Sequence, residues 1–327
     1  MYLDLFDEME KICIQCHDSP DADAISSGFG LYSYFKDLGK EVRLIYSGGH
    51  KITKPSLIIM VERLHIPIEY VEELPECDIL ITVDCQYRGG NITVFDAGRV
   101  AMIDHHPLCV EMSDWCYIRS RYGSCATVVW KLLRQMGYDV NKKRNVATAL
   151  FFGLFTDTGN LSEIFHEADK EMRDSLVVDR GIVELMVNSN LSREELAIAG
   201  EALSDYFYDE HYRFAVLRTK PCDPNLLGVI SDLVNQVSSI DTCVVYNETP
   251  IGYKLSLRSS LPHCEANGMA LAVTEQIGSG GGHANKAGGF IMKKMFRAVY
   301  GTRAFETVIC IRLRKYLDEI GNSGEKE

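Results

Sequence analysis

Four short apolar runs, residues 12–16, 42–46, 79–83 and 100–103, lack the polar alternation of a strand with one wet face. Strands of that kind are covered on both faces, the usual condition of a parallel sheet. Between the first two, Ile25, Phe29, Tyr32, Phe35 and Leu38 form an apolar stripe at helical spacing, closed by Gly39. Strand, helix, strand at this separation is a parallel crossover unit, and such connections are right-handed. Two more helices are expected over 124–136, ended by Gly137, and over about 142–155. The first half of the chain therefore reads as α/β, a mostly parallel sheet with helices on both faces.

Residues 176–208 are helical and more polar, with a break at 188–192 and a capping box from Ser192 to Glu195. Beyond it the pattern restarts. Strand 214–219, helix 225–237, strands 242–246 and 253–258, helix 265–277, a glycine-rich turn and strand 290–293 make a smaller α/β unit. The expected division is a domain over 1–185, a helical linker over 186–208 and a second domain over 209–327, with a cleft between the domains.

Several classes are excluded early. The longest nearly apolar stretch, 146–155, falls well short of the roughly 18 residues a membrane span needs. Asp4, Asp7 and Glu8 stand where a secretory signal would carry basic residues, so a cytoplasmic location is expected. The chain has 11 cysteines, an odd number at irregular spacings, which reads as reduced thiols rather than a disulfide framework. Cys13 and Cys16 form a C-x-x-C, but on a strand positions three apart point to opposite faces, which argues against zinc.

Net charge is −12, which argues against a broad basic surface for long nucleic acid. Residues 278–315 nevertheless carry eight Lys or Arg against one acid, Glu306, leaving 26 basic and 45 acidic residues elsewhere. Such a local basic region is either a solvated helix face or the site of a small anionic ligand.

The chemistry lies at the strand ends. His17, Asp18, Asp21 and Asp23 follow the first run, Asp84 follows the third, and Asp104, His105 and His106 close the fourth. Asp157 sits between Thr156 and Thr158 after an apolar helical run. Taken singly, each aspartate has an ordinary account as a cap or loop residue. Four separate segments delivering Asp or His to one edge of one sheet do not, since ligand sites form at the carboxyl ends of parallel strands. Carboxylates with imidazoles and no thiolate suit Mn²⁺ or Mg²⁺, with Fe²⁺ also compatible. Two such ions sharing a carboxylate about 3.5–4 Å apart form an arrangement that hydrolyses phosphate esters.

In this order and spacing, His17-x-x-x-Asp21-x-Asp23, Asp84, Asp104-His105-His106 and Gly153-x-x-Thr156-Asp157-Thr158-Gly159 resemble the four motifs of the DHH phosphoesterase family. Gly280-Gly281-Gly282-His283 followed by Ala287-Gly288-Gly289-Phe290 is similar to the glycine-rich signature of the DHH-associated domain. That signature marks the nano-RNase and 3′-phosphoadenosine 5′-phosphate phosphatase type. The resemblance implies two divalent ions, with Mn²⁺ first. His17, Asp21 and Asp84 would hold one; Asp23, Asp84, His106 and Asp157 would hold the other, with Asp84 bridging. His105 would touch the scissile phosphate as a catalytic group, and Asp104 would orient the histidines. Arg258, Gly281, Gly282, His283 and Ser124 would contact substrate.

The implied activity is release of 5′-mononucleotides from short RNA or DNA oligonucleotides, with 3′-phosphoadenosine 5′-phosphate as a further substrate. A cyclic or linear dinucleotide phosphodiesterase is the alternative enzyme, and a nucleotide-sensing regulatory protein the non-enzyme alternative. No membrane partner and no long nucleic-acid track are expected, and a homodimer is left open. Two departures from the family pattern bear on substrate. Gln86, in Cys85-Gln86 after the bridging acid, is expected to line the cleft, and the helix after Ser124 lacks a glutamate.

Overall fold

The computed structural model describes residues 2–189 and 191–324, and the chain divides into two compact units that meet in sequence between residues 190 and 191. The first contains β1 (Lys11–Cys16), α1 (Ala22–Asp37), β2 (Glu41–Tyr46), α2 (Pro55–Arg63), β3 (Ile68–Tyr70), β4 (Ile79–Val83), β5 (Val100–Asp104) and β6 (Cys116–Ile118). After these come α3 (Cys125–Gln135), α4 (Arg144–Asp157), α5 (Glu167–Ser175) and α6 (Arg180–Val187). All five strand pairings are parallel, in the order β3-β2-β1-β4-β5-β6. That order reverses between β1 and β4, and the gap at such a reversal is where a parallel sheet opens a crevice at its carboxyl edge.

Ile12, Ile14 and Cys16 of β1, Leu44 of β2, Ile81 and Val83 of β4 and Ile103 of β5 point to one face. There they pack against Ile25, Leu57, Val128, Leu150, Met172 and Met186, one from each of α1 to α6. The helical covering thus falls on one face, where the sequence suggested both. The opposite face is closed by Cys13, Ile45 and Leu80 under Val71, Leu74, Cys77, Tyr87, Phe95 and Ala97, from connections without a helix. Sheet order supplies the reason: right-handed crossovers toward β2 and toward β5 must run over opposite faces, and the second set is irregular here. Cys16 and Cys13 accordingly lie on opposite sides of the sheet.

The second unit contains α7 (Arg193–Ser204), β7 (Phe207–Asp209), β8 (Phe214–Thr219), α8 (Pro224–Val234), β9 (Thr242–Glu248), β10 (Gly252–Ser259), α9 (Ala266–Thr274), β11 (Gly278–Gly282), β12 (Lys286–Met292), α10 (Lys293–Tyr300) and α11 (Phe305–Gly324). Its sheet runs β11-β12-β10-β9-β8-β7 and is mixed: β8 and β9 are parallel, and the other neighbours among the described residues are antiparallel. Alternate residues of β9 split between two cores: Val244 and Tyr246 meet α9 to α11, while Cys243 and Val245 meet α7 and α8. The capping box at Ser192 and Glu195 forms. The helix it starts buries Ala199 and Ala202 against β8 and α8, so this part of the expected linker packs into the second unit.

The glycine-rich segment expected as a turn is instead the edge strand β11, antiparallel to β12. Its glycines allow close packing on α9: a Cβ at Gly280 would lie 2.7 Å from the Ala270 carbonyl oxygen and 2.9 Å from Thr274 Oγ1. At Gly281 the nearest atom, Asn267 Oδ1, is 3.7 Å away. Gly280→Ala should therefore destabilise the protein by about 1–3 kcal/mol through overpacking. Gly281→Ala should cost well under that, and urea unfolding of the two variants checks the difference.

Candidate metal centre

β1 ends at Cys16, and the next turn leads into α1 through Asp21, whose Oδ1 caps the helix by accepting the backbone N–H groups of Asp23 and Ala24. His17 Nε2 lies 3.9 Å from Asp21 Oδ1 and 3.7 Å from Asp84 Oδ2. Asp18 turns away, its Oδ1 accepting the Thr93 N–H at 2.7 Å. Asp84 follows β4 with φ of 58°, a left-handed conformation that Asp tolerates better than most residues. This kink leaves its side chain at the sheet edge, between the residues that follow β1 and those that follow β5.

At the end of β5 two adjacent histidines diverge. His105 is buried, its Nδ1 3.1 Å from the Tyr122 carbonyl oxygen and its Nε2 3.2 Å from Asp157 Oδ2, 3.4 Å from Asp84 Oδ1 and 3.9 Å from Asp23 Oδ2. The side chain of His106 is 41% exposed, with Nδ1 2.8 Å from Asp104 Oδ1 and 3.7 Å from Asp84 Oδ1. The geometry thus puts His105, rather than the expected His106, inside the group formed by Asp23 and Asp157. Asp104 is fully buried and also accepts the His105 backbone N–H and the Gln86 side-chain amide, each at 2.8 Å. Gln86 is buried beside Asp104 rather than lining a cleft.

Asp23 is buried in the first turn of α1, and its two oxygens accept the N–H groups of Cys125 and Ala126, at 2.6 and 2.8 Å, from the start of α3. Ser124, expected to touch substrate, is buried and is the N-cap of that helix, accepting the Thr127 N–H. Asp157 is the last residue of α4, and the flanking hydroxyls of Thr156 and Thr158 donate back to helix carbonyls. At Gly153, α4 approaches this group so closely that a Cβ would lie 2.2 Å from Ser26 Oγ and 3.0 Å from Asp23 Oδ1.

Three sets of ligand atoms result, each within 4.8 Å: His17, Asp21 and Asp84; Asp23, His105 and Asp157; and Asp84, His105 and His106. Asp84 belongs to two of them. Burial and the charge of Asp157 push the Asp23 carboxyl well above its usual range, and burial and Asp23 do the same to Asp84. Burial alone would make His105 neutral, yet Asp84, Asp157 and Asp23 hold its pKa well above that of a free imidazole. Burial lowers His17. Asp104 differs: burial is outweighed by hydrogen bonds from His106 and Gln86, and its pKa falls to about 2. Crowded acids sharing protons with one imidazole are a set short of positive charge. Among the described residues no hydrogen bond reaches the buried Asp84 Oδ1, and the donors are oxygen and imidazole nitrogen, which fits hard divalent cations.

The other expected site residues lie in the second unit. Arg258 is 9% exposed; its Nε donates to Asp232 Oδ1 at 2.6 Å and its Nη1 to Ser256 Oγ and the Leu257 carbonyl. A phosphate at Arg258 must compete with Asp232. The Gly282 N–H donates to Asn267 Oδ1 and the His283 N–H to the Lys286 carbonyl, so these two donors, expected to face substrate, are engaged within the unit. Gly281 is exposed.

The model of the DHH family, N-terminal domain, matches residues 11–154, from the start of β1 to three residues before Asp157. That match takes in 144 of the 327 residues, all within the first unit. It is 30% identical over 149 residues to the bifunctional oligoribonuclease and PAP phosphatase NrnA of Thermus thermophilus, 46% of this chain and 44% of that relative. It is 24% identical over 197 residues to a probable manganese-dependent inorganic pyrophosphatase of Streptococcus thermophilus, 56% of this chain and 62% of the relative. The chain thus spans less than two thirds of the length of either. An exopolyphosphatase-related protein from Bacteroides fragilis shares the fold, with TM-score 0.73 and 21% identity over 98% of this chain and 96% of that one.

Within the first unit, sequence reasoning missed the loop before α3. The Tyr122 carbonyl meets His105, and buried Asp169 holds the adjacent Gly123 N–H at 3.0 Å. A backbone carbonyl leaves no mark in a sequence, and Asp169, in the first turn of α5, reads as an ordinary helix-start acid. Gly153→Ala is expected to displace Asp23 and weaken Mn²⁺ binding about tenfold or more, in the range of changes behind a ligand shell. Isothermal titration with Mn²⁺ measures it.

Proposed function

We propose that this chain is a DHH-family, metal-dependent phosphoesterase that hydrolyses short oligonucleotides to 5′-mononucleotides and also accepts 3′-phosphoadenosine 5′-phosphate. The observation that carries this reading is Asp84, shared by two groups of acid and imidazole ligands at the carboxyl edge of the parallel sheet. His17, Asp21 and Asp84 would hold one divalent ion, and Asp23, Asp84, His105 and Asp157 the other. When bound, the pair supplies an ionised water as nucleophile at neutral pH and charge for the phosphoryl oxygens. Similarity to a manganese-dependent pyrophosphatase favours Mn²⁺, and similarity to NrnA favours the nucleotide substrate.

The chain's own groups do the rest. His105 points Nε2 into the carboxylates because its Nδ1 faces the Tyr122 carbonyl, which fixes the tautomer. His106 turns Nδ1 to Asp104, so Nε2 is the nitrogen through which it meets a phosphate oxygen or the leaving group. Asp104, held ionised by its donors, keeps that ring in one orientation. The two histidines therefore take roles opposite to those the motif alone implied.

Substitution separates the roles. Asp84→Asn, which keeps a residue tolerant of the left-handed backbone, should abolish turnover and Mn²⁺ binding at both positions. His105→Ala should reduce the Mn²⁺ stoichiometry. His106→Ala should retain two ions and lower kcat by about 10²–10⁴, as expected for a lost acid or phosphate contact. Metal counting by titration with parallel kinetics checks all three, and full metal loss in His106→Ala would reverse the assignment.

Charge bears on substrate length. Outside 278–315 the chain has 26 basic residues against 45 acidic ones, so a long strand would meet repulsion. The value of kcat/KM should be highest for about two to five nucleotides, with a log–log salt slope equivalent to two or three phosphate contacts at about 0.7 each. The deciding experiment is a product profile with Mn²⁺ on 5′-labelled RNA of graded length, cyclic dinucleotides, 3′-phosphoadenosine 5′-phosphate and pyrophosphate. Preference for a cyclic dinucleotide would establish the alternative phosphodiesterase. Binding without turnover would establish a sensor.

A further inference from the structure

We propose that Gln86 is a positioning residue for His106, acting through Asp104 by tying that carboxylate to the turn that follows the two histidines. The inference rests on the reading above, in which His106 meets the phosphate. Gln86 is 3% exposed. A buried primary amide has two N–H donors and an acceptor oxygen to satisfy, and here all are used. Nε2 donates to Asp104 Oδ2 at 2.8 Å and to the Pro107 carbonyl at 3.0 Å, while Oε1 accepts the Cys109 backbone N–H at 2.8 Å. One side chain thereby holds the carboxylate at the end of β5 and the chain three and five residues beyond it.

The two oxygens of Asp104 divide their partners. Oδ1 takes the His105 N–H and His106 Nδ1, and Oδ2 takes Gln86. Without the amide, Oδ2 of a fully buried carboxylate loses that donor, and a buried acceptor so deprived rotates toward another donor. That rotation disturbs the bond from His106 Nδ1 to Oδ1. The backbone of Gln86 is itself fixed, its carbonyl accepting the Gly89 N–H at 2.7 Å, so the amide cannot follow. Carboxamide chemistry is specific at this place. Glutamate has the same shape but would set a second negative charge 2.8 Å from Asp104, and methionine fills similar volume without a donor.

The test uses full-length Gln86→Met and Gln86→Glu beside the parent protein. In metal-free samples labelled with ¹⁵N-histidine, the His106 ring signals, assigned by their loss in His106→Ala, report the Nδ1 bond to Asp104. Both variants are expected to shift those signals, to keep two Mn²⁺ per chain, and to lose about 10–100-fold in kcat on a dinucleotide with KM little changed. Unshifted ring signals in a folded variant, with kcat within about twofold of the parent, would overturn the proposal, as would loss of a bound ion. If one variant fails to fold, the other decides. Should His106→Ala retain full turnover, the reading of His106 fails on its own, and the ring signals still show whether Gln86 positions the imidazole.

Discussion

Asp23 is a carboxylate with no access to solvent, and the N-terminus of α3 is what makes its burial tolerable. Both oxygens accept backbone N–H groups there, where the helix also presents its positive end. Leaving such a group without donors would cost several kcal/mol. The packing of α1, α3 and α4 follows from this contact. Ser124 caps α3 so that its first amides face Asp23, and α4 reaches the same point only because residue 153 has no side chain. Apolar burial holds the three helices together, but the carboxylate fixes where they meet.

The same neighbourhood determines which side chains face the ligand groups. Cys16, Cys85 and Cys125 are buried around Asp84, and burial together with that carboxylate pushes each thiol well above its usual pKa. Each donates to a backbone carbonyl, of Ala24, Val83 and Ile103 respectively. With their Sγ atoms turned to those carbonyls, none of the three joins the ligand groups around Asp84, although sulfur is abundant. What remains is oxygen and imidazole, and a fold so crowded with acids gains stability from any cation that binds it.

Much of this was legible in the sequence for physical reasons. The strands β1, β2, β4 and β5 are mostly apolar runs with little polar alternation, and the aspartates and histidines that follow β1, β4 and β5 lie together because a parallel sheet brings those ends to one edge. The three-residue strands β3 and β6 carry too short a pattern to register. Strand β11 is four glycines and a serine, a composition that argues against a strand until α9 is seen pressing on it. His105 and His106 are adjacent, and only the course of the backbone after β5 decides which ring turns inward. Gln86 reads as a cleft residue because its partners, Asp104, Pro107 and Cys109, come from another strand's end. Arg258 carries the right chemistry for a phosphate, but nothing local reveals Asp232 on α8 already beside it.

The strand order also governs how the centre can be assembled. Strand β1 is the first to be synthesised and lies in the middle of its sheet, between β2 and β4. One of its edges stays unpaired until β4 is made, and His17 and Asp21 wait for the second carboxylate of their group until Asp84 follows. Asp157 closes the group only after α4 has docked. Contacts so distant along the chain are slow to form and leave strand edges open in the interval. A complete ligand set is therefore among the last features of the first unit to appear, and its cation can recognise only a chain that has already folded.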